Sequence, residues 1–144
     1  MTSGSIRIFK YITGVTCFVI GVIIYLLWRE GLLIHRVITW LGLDLITNPL
    51  RSFVSDLYLP EWIRFSLPDG LWVTSYILIM SAQDIPHKIL WISIIPLVGF
   101  ISELLQIVHF MPGTFDFIDL IFYIIPLIIY ICYEFFTKNF INKH

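Results

Sequence analysis

Apolar residues fall in long unbroken blocks along this chain, and charged residues mark the edges of the blocks. The first block, Tyr11 to Trp28, runs for 18 residues without a charge between Lys10 and Arg29. At about 1.5 Å of rise per residue it covers most of a hydrocarbon core of about 30 Å, so a spanning helix is expected over 11–28. Ser66-Leu67-Pro68-Asp69 reads as a helix start, with Ser66 able to cap and Pro68 early in the first turn, and predicts a second span over 67–83. After the short connector Asp84-Ile85-Pro86-His87, Lys88 opens a third span over 88–107. The stretch from His109 to Thr114 turns the chain, and a fourth span is expected over 117–137. Pro96 and Pro126 fall inside the last two and are candidate kinks.

The stretch between the first two spans is different. Residues 29–65 carry Arg29, Arg36, Arg51 and Arg64 against Glu30, Asp44, Asp56 and Glu61, with Pro49 and Pro60 as breakers. That is too polar to span and too apolar for a simple loop. Leu32, Leu33, Val37, Ile38 and Leu41 follow helical spacing, as do Leu50, Phe53, Val54 and Leu57. The expectation is that 30–64 lies on the extracytoplasmic surface as short amphipathic helices, with Trp40, Tyr58 and Trp62 at interfacial depth. The fold class is thus an all-α integral membrane protein, a four-helix transmembrane bundle with outer interfacial helices, forming a single membrane domain over 1–144.

Composition strengthens this reading. The chain is 58% apolar and only 13% charged, against about 25% charged in soluble domains. With a net charge of −1 and no basic patch, nucleic acid is excluded as a partner. Cys17 and Cys132 sit inside apolar runs, read as small hydrophobes, and imply no redox chemistry. The first block is longer than the core of a signal peptide and no small-residue cleavage site follows Trp28, so it is expected to remain as an anchor. Arg7, Lys10, Lys88, Lys138 and Lys143 all fall on one side of the four-span topology, which puts both termini in the cytoplasm by the positive-inside bias.

Candidate chemistry follows from run length. Gly70–Gln83, Ile89–Ser102 and Leu120–Tyr133 are each free of charge for 14 residues, a rise of only about 21 Å. Asp84, Lys88 and Glu134 close these runs on the inner side, and Asp69, Glu103 and Asp119 close them on the outer side. An acidic layer facing outward is expected. Helix capping competes with a functional reading for Asp69, Asp116 and Asp119, because a carboxylate in a first turn meets free N–H groups and the positive end of the helix dipole. Glu103 stands near the C-terminal end of its helix, where the dipole disfavours an anion, so it needs a partner. Gln106, three residues on, can hydrogen-bond to it. His109 extends the polar end, and Arg64 and Arg51 are candidate counter-ions. The expected ligand-binding set is Glu103, Gln106, Asp69, Asp116, Asp119, Arg64 and His109. No zinc-protease, P-loop, serine-elbow or dinucleotide motif is present, so no metal and no cofactor is expected.

These residues, over about 66–126, resemble the VanZ-like family of small bacterial membrane proteins, named for an accessory factor in teicoplanin resistance. The family pattern has an Asp opening one helix, a Glu-x-x-Gln near the end of the next, a Pro/Gly turn, and an Asp opening the last. Here these are Asp69, Glu103-Leu104-Leu105-Gln106, Pro112-Gly113-Thr114-Phe115-Asp116, and Asp119. The chain departs from the pattern at Gly70 and Val73, where the family often has Lys and His, and at Tyr123 and Pro126, where it has Asn and Gly. The resemblance implies a cell-envelope role in glycopeptide tolerance, in the cytoplasmic membrane of a bacterium, without an established catalytic mechanism.

Three functions compete. The leading one is a non-enzymatic envelope protein whose outward acidic pocket binds an amphiphile, a glycopeptide or an envelope precursor. The second is an intramembrane enzyme acting on a lipid head group, with Glu103 as general acid or base, although no nucleophile with a base beside it is present. The third is a structural or accessory subunit, whose acids serve as caps and pair with another membrane protein. Membrane lipids are partners on every reading.

Overall fold

The computed structural model of the chain describes residues 3–28, 36, 39–42, 44–54, 56–110 and 115–141. These form five helices, α1 (Ser3–Trp28), α2 (Asp44–Val54), α3 (Glu61–Ser81), α4 (Lys88–Ile107) and α5 (Phe117–Ile141), and among the described residues there is no strand. Three of them, α1, α4 and α5, are long and apolar enough to cross a membrane. Large apolar side chains cover their outer surfaces, among them Ile12 and Val19 on α1, Leu90 and Val98 on α4, and Ile128 and Ile129 on α5. Surface of this kind suits hydrocarbon as solvent and would be a liability in water.

The central helix is the least apolar of the four long ones. α3 carries Glu61, Arg64 and Asp69 together with Ser66, Ser75 and Ser81, and it packs against α1, α4 and α5. Its polar content is turned inward: Ser66, Ser75 and Ser81 are all buried. Thr74 Oγ1 donates to the Gly70 carbonyl and Ser81 Oγ to the Leu78 carbonyl, each at 2.8 Å, so these hydroxyls are satisfied by their own helix. Val73 and Ile77 of α3 meet Ile92 of α4 and Leu127 and Tyr130 of α5 in the core. α4 runs antiparallel beside α3, and the Tyr76 hydroxyl donates to the Trp91 carbonyl at 2.6 Å.

α1 lies antiparallel along the other side of α3, and two glycines allow the approach. A Cβ on Gly14 would stand 2.9 Å from Ile79 Cγ1, and one on Gly21 only 2.6 Å from Trp72 Nε1. Small residues two turns apart let one helix backbone seat against the next, the usual way helices gain dispersion energy in lipid. The Trp72 ring also meets Tyr25, centroid to centroid at 5.0 Å.

Two helix starts differ from the sequence reading. α3 begins at Glu61 and not near Ser66, because Pro60, extended at φ −52° and ψ 147°, sets the start and its carbonyl accepts from the Ile63 N–H at 3.0 Å. Ser66 is therefore no cap, and Pro68 lies fully buried inside the helix. α1 begins at Ser3, well before Tyr11, since Arg7 and Lys10 end the apolar block without ending the helix. Nothing in a charged side chain at the interface interrupts the backbone ladder.

Of the expected surface segment, α2 is 11 residues long, about 17 Å, too short to cross. None of its residues is buried, and Leu45 and Phe53 are exposed, as are neighbouring Trp40 and Tyr58. Arg51 was a candidate counter-ion for Glu103. Instead its Nε and Nη2 donate to the Leu26 carbonyl at 2.9 and 2.8 Å, placing a cation on the last turn of α1. Residues 29–35, 37, 38, 43 and 55 of the expected surface segment lie outside the described residues, as do Met111 to Thr114 of the expected Pro/Gly turn.

Candidate functional site

Glu103 is in the last turns of α4 and only 5% exposed. Gln106 Nε2 donates to its Oε1 at 3.2 Å, and the Asp116 backbone N–H donates to its Oε2 at 3.3 Å. Asp116 stands immediately before α5. The carboxylate that its own helix end disfavours is thus held at the N-terminal end of the next helix, whose dipole favours it. One helix end compensates for the other.

Asp116 has a capping role of its own: its Oδ1 accepts from the Ile118 N–H at 2.8 Å. Asp119 lies one turn further along, and its Oδ1 is buried with no hydrogen-bond partner among the described residues. Asp119 and Asp116 both stand within electrostatic reach of Glu103. From the central helix, Asp69 Oδ2 accepts a hydrogen bond from the Tyr123 hydroxyl at 3.3 Å. Asp69, Asp119 and Glu103 are all near enough for their charge to act on the Tyr123 phenol. Three helices therefore deliver one carboxylate each to a polar cluster around a single tyrosine.

Close packing fixes that tyrosine. A Cβ on Gly99 of α4 would come within 2.8 Å of Tyr123 Cδ1, so the ring lies against bare backbone. The side chain of Phe122 presses in the same way on Gly70 of α3, next to Asp69, and stacks on Trp62 at 6.3 Å between centroids. Ser66, one turn before Asp69, is fully buried with its Oγ unpartnered among the described residues.

Two expected members stay apart from the cluster. Arg64 has a buried Nε without a hydrogen-bond partner among the described residues, and its guanidinium lies 5.4 Å from the Phe65 ring centroid. His109 is exposed in a left-handed conformation, φ 55°, and its N–H closes a turn onto the Gln106 carbonyl at 3.1 Å. It ends α4 and reaches no carboxylate in the described contacts. Tyr123 is the residue that the sequence reading missed. The available signal was its position four residues after Asp119, on the same face of one helix.

Comparison of the chain with family models, curated proteins and solved structures finds no match. What the cluster can do follows from its groups. Several carboxylates in a low-dielectric setting favour a proton, an ammonium group or hydroxyl donors, whose charge or hydrogen bonds would offset the mutual repulsion. Among the described residues, no three His, Cys, Asp or Glu side chains are grouped to hold a metal ion.

Proposed function

We propose that this chain is a VanZ-like cell-envelope protein of the bacterial cytoplasmic membrane that binds the polar head of an amphiphile at the Asp69–Glu103–Asp119 cluster. In this reading α3 is a fourth span, both termini are cytoplasmic, and the cluster lies towards the outer surface with α2 above it. The observation that carries the reading is the burial of Glu103 inside an apolar helix beside two further acids. An ionisable group in such a place is costly and marks a site by default. Amines and sugar hydroxyls are the head groups that suit it, and glycopeptides carry both.

A specific contact favours a second reading. The hydrogen bond from the Asp116 N–H to Glu103 makes the carboxylate a clamp between α4 and α5, which a structural or accessory subunit would need as much as a binder. Glu103→Gln separates the two, because the amide keeps an acceptor oxygen for the Asp116 N–H and removes the charge. A teicoplanin-sensitive bacterial host expressing the chain should tolerate more of the drug. The binding reading expects Glu103→Gln and Asp119→Asn to abolish that gain at unchanged protein level; the clamp reading expects Glu103→Gln to keep it. Equal tolerance with the wild-type chain and with an empty vector removes the binding proposal altogether.

A further inference from the structure

Between α3 and α5 a groove of about 560 Å³ runs from Leu67 and Phe122, beside the acidic cluster, to Ser81 and Tyr133 at the opposite end of the helices. Its floor is one face of α3, from Leu67 through Gly70 and Thr74 to Ser81, and its wall is the matching face of α5, from Ile121 to Tyr133. The 14-residue step from Leu67 to Ser81 gives it a length of about 21 Å. That exceeds the roughly 15 Å depth of one leaflet, half of a ~30 Å core. The first turns of α1 close one end with Ile6, Phe9 and Lys10. Apart from Lys10, Gly70, Thr74 and Ser81, everything that lines it is aliphatic or aromatic.

The closed end is polar. A second cavity of about 140 Å³ adjoins the groove there, sharing Ile6, Lys10 and Ser81 with it and adding Arg7, Ala82 and Asp84. Around it, Arg7 is ion-paired with Asp84, and Lys10 lies 5.7 Å from the centroid of the Tyr133 ring within the fields of Glu134 and Lys88. Lys88 Nζ donates to the Ser81 carbonyl at 3.2 Å, and the Tyr130 hydroxyl donates to Glu134 Oε1 at 3.1 Å. Arg7, Lys10 and Lys88 face Asp84 and Glu134, so this end carries an excess of positive charge.

We infer that the groove is a binding site for an anionic phospholipid, with an acyl chain between α3 and α5 and its phosphate at Lys10. An apolar trough that opens into a small basic compartment has the two-part shape of such a molecule, and basic pockets between membrane helices are the sites where acidic head groups settle. A second copy of this chain is the poorer occupant, because it would bring the same excess of cations to the same end. The groove is lined by none of the cluster's carboxylates, its polar end lies at the other end of the helices, and the proposal stands whether or not the cluster binds a ligand.

The test is native mass spectrometry of the full-length protein in mild detergent, titrated with dioleoyl phosphatidylglycerol and separately with dioleoyl phosphatidylcholine. Phosphatidylglycerol should bind more tightly, and Lys10→Ala should reduce that preference about fivefold, the effect of one basic residue on an acidic head group. The exposed Arg36→Ala should leave it unchanged. Lysophosphatidylglycerols of increasing chain length should gain affinity until the chain fills the groove, a readout that needs no substitution. Equal binding of the two lipids, a preference that survives Lys10→Ala, or affinity independent of chain length overturns the proposal. So does a lipid-free dimer that Thr74→Trp dissolves, since the groove would then belong to a second copy.

Discussion

The two ends of the long helices handle charge in opposite ways. Where α1 begins and α3 and α5 run towards their C-termini, charge meets its opposite: Arg7 pairs with Asp84, Lys10 shares the field of Glu134, and Lys88 caps the Ser81 carbonyl. At the other end carboxylates are gathered together, and Glu103 is held by an amide and a backbone N–H. The first arrangement is exposed, with 49% of the Arg7 side chain and 74% of the Asp84 side chain accessible. In the second, Glu103 is buried and Asp69, Asp116 and Asp119 are half-buried. Exposed opposite charges are a device for solvating helix ends, whereas buried like charges persist only where helix ends, amides or a ligand compensate them.

The contrast breaks most sharply at Glu103. Glu103→Ala should cost about 1–3 kcal/mol in thermal unfolding followed by circular dichroism in mild detergent, because it strands the half-buried Asp116 N–H and Gln106 amide and empties the space of a buried side chain. Glu103→Gln should retain most of that stability, since an acceptor remains and one like charge is gone. Next in size is Tyr123→Phe, which removes the hydrogen bond to Asp69 and should cost about 1 kcal/mol. If Tyr123→Phe is silent while Glu103→Ala is not, Asp69 acts independently of the cluster.

At the exposed end the effects should be smaller. Lys88→Ala removes a cation from the C-terminus of α3 and should cost about 0.3–1 kcal/mol, less in high salt. Arg7→Ala should fall below that, under about 0.5 kcal/mol, as exposed ion pairs do. An Arg7 effect as large as that of Glu103→Ala would mean that the two ends are not built differently.

The helical class was legible because one charge-free block of 18 residues and three of 14, each bracketed by charges, admit few alternatives in so apolar a chain. The start of α3 was not legible. Ser66-Leu67-Pro68 has every mark of a helix beginning, yet Pro60 begins it, and only packing against α1, α4 and α5 explains a proline and a serine buried in mid-helix. In the cluster, Gln106 on Glu103 could be read from a three-residue spacing. Its other partner, the Asp116 N–H, could not, because that contact joins two helices across the turn between them. Tyr123 was hidden for a different reason: in an apolar helix a tyrosine resembles an interfacial anchor, and only the distance to Asp69 gives it a role.

The inward-facing serines of α3 have a consequence for how the chain enters the membrane. On the four-span reading, α3 carries Arg64 and Asp69 through a step in which each helix is first weighed against lipid by itself, and there its composition is marginal. Its neighbours are what make it stable, through the glycine contacts of α1 and the core shared with α4 and α5. Integration of α3 would then be a collective event: a truncated chain ending at Gln83 should leave this helix partly accessible to aqueous thiol reagents, and extension through α5 should protect it.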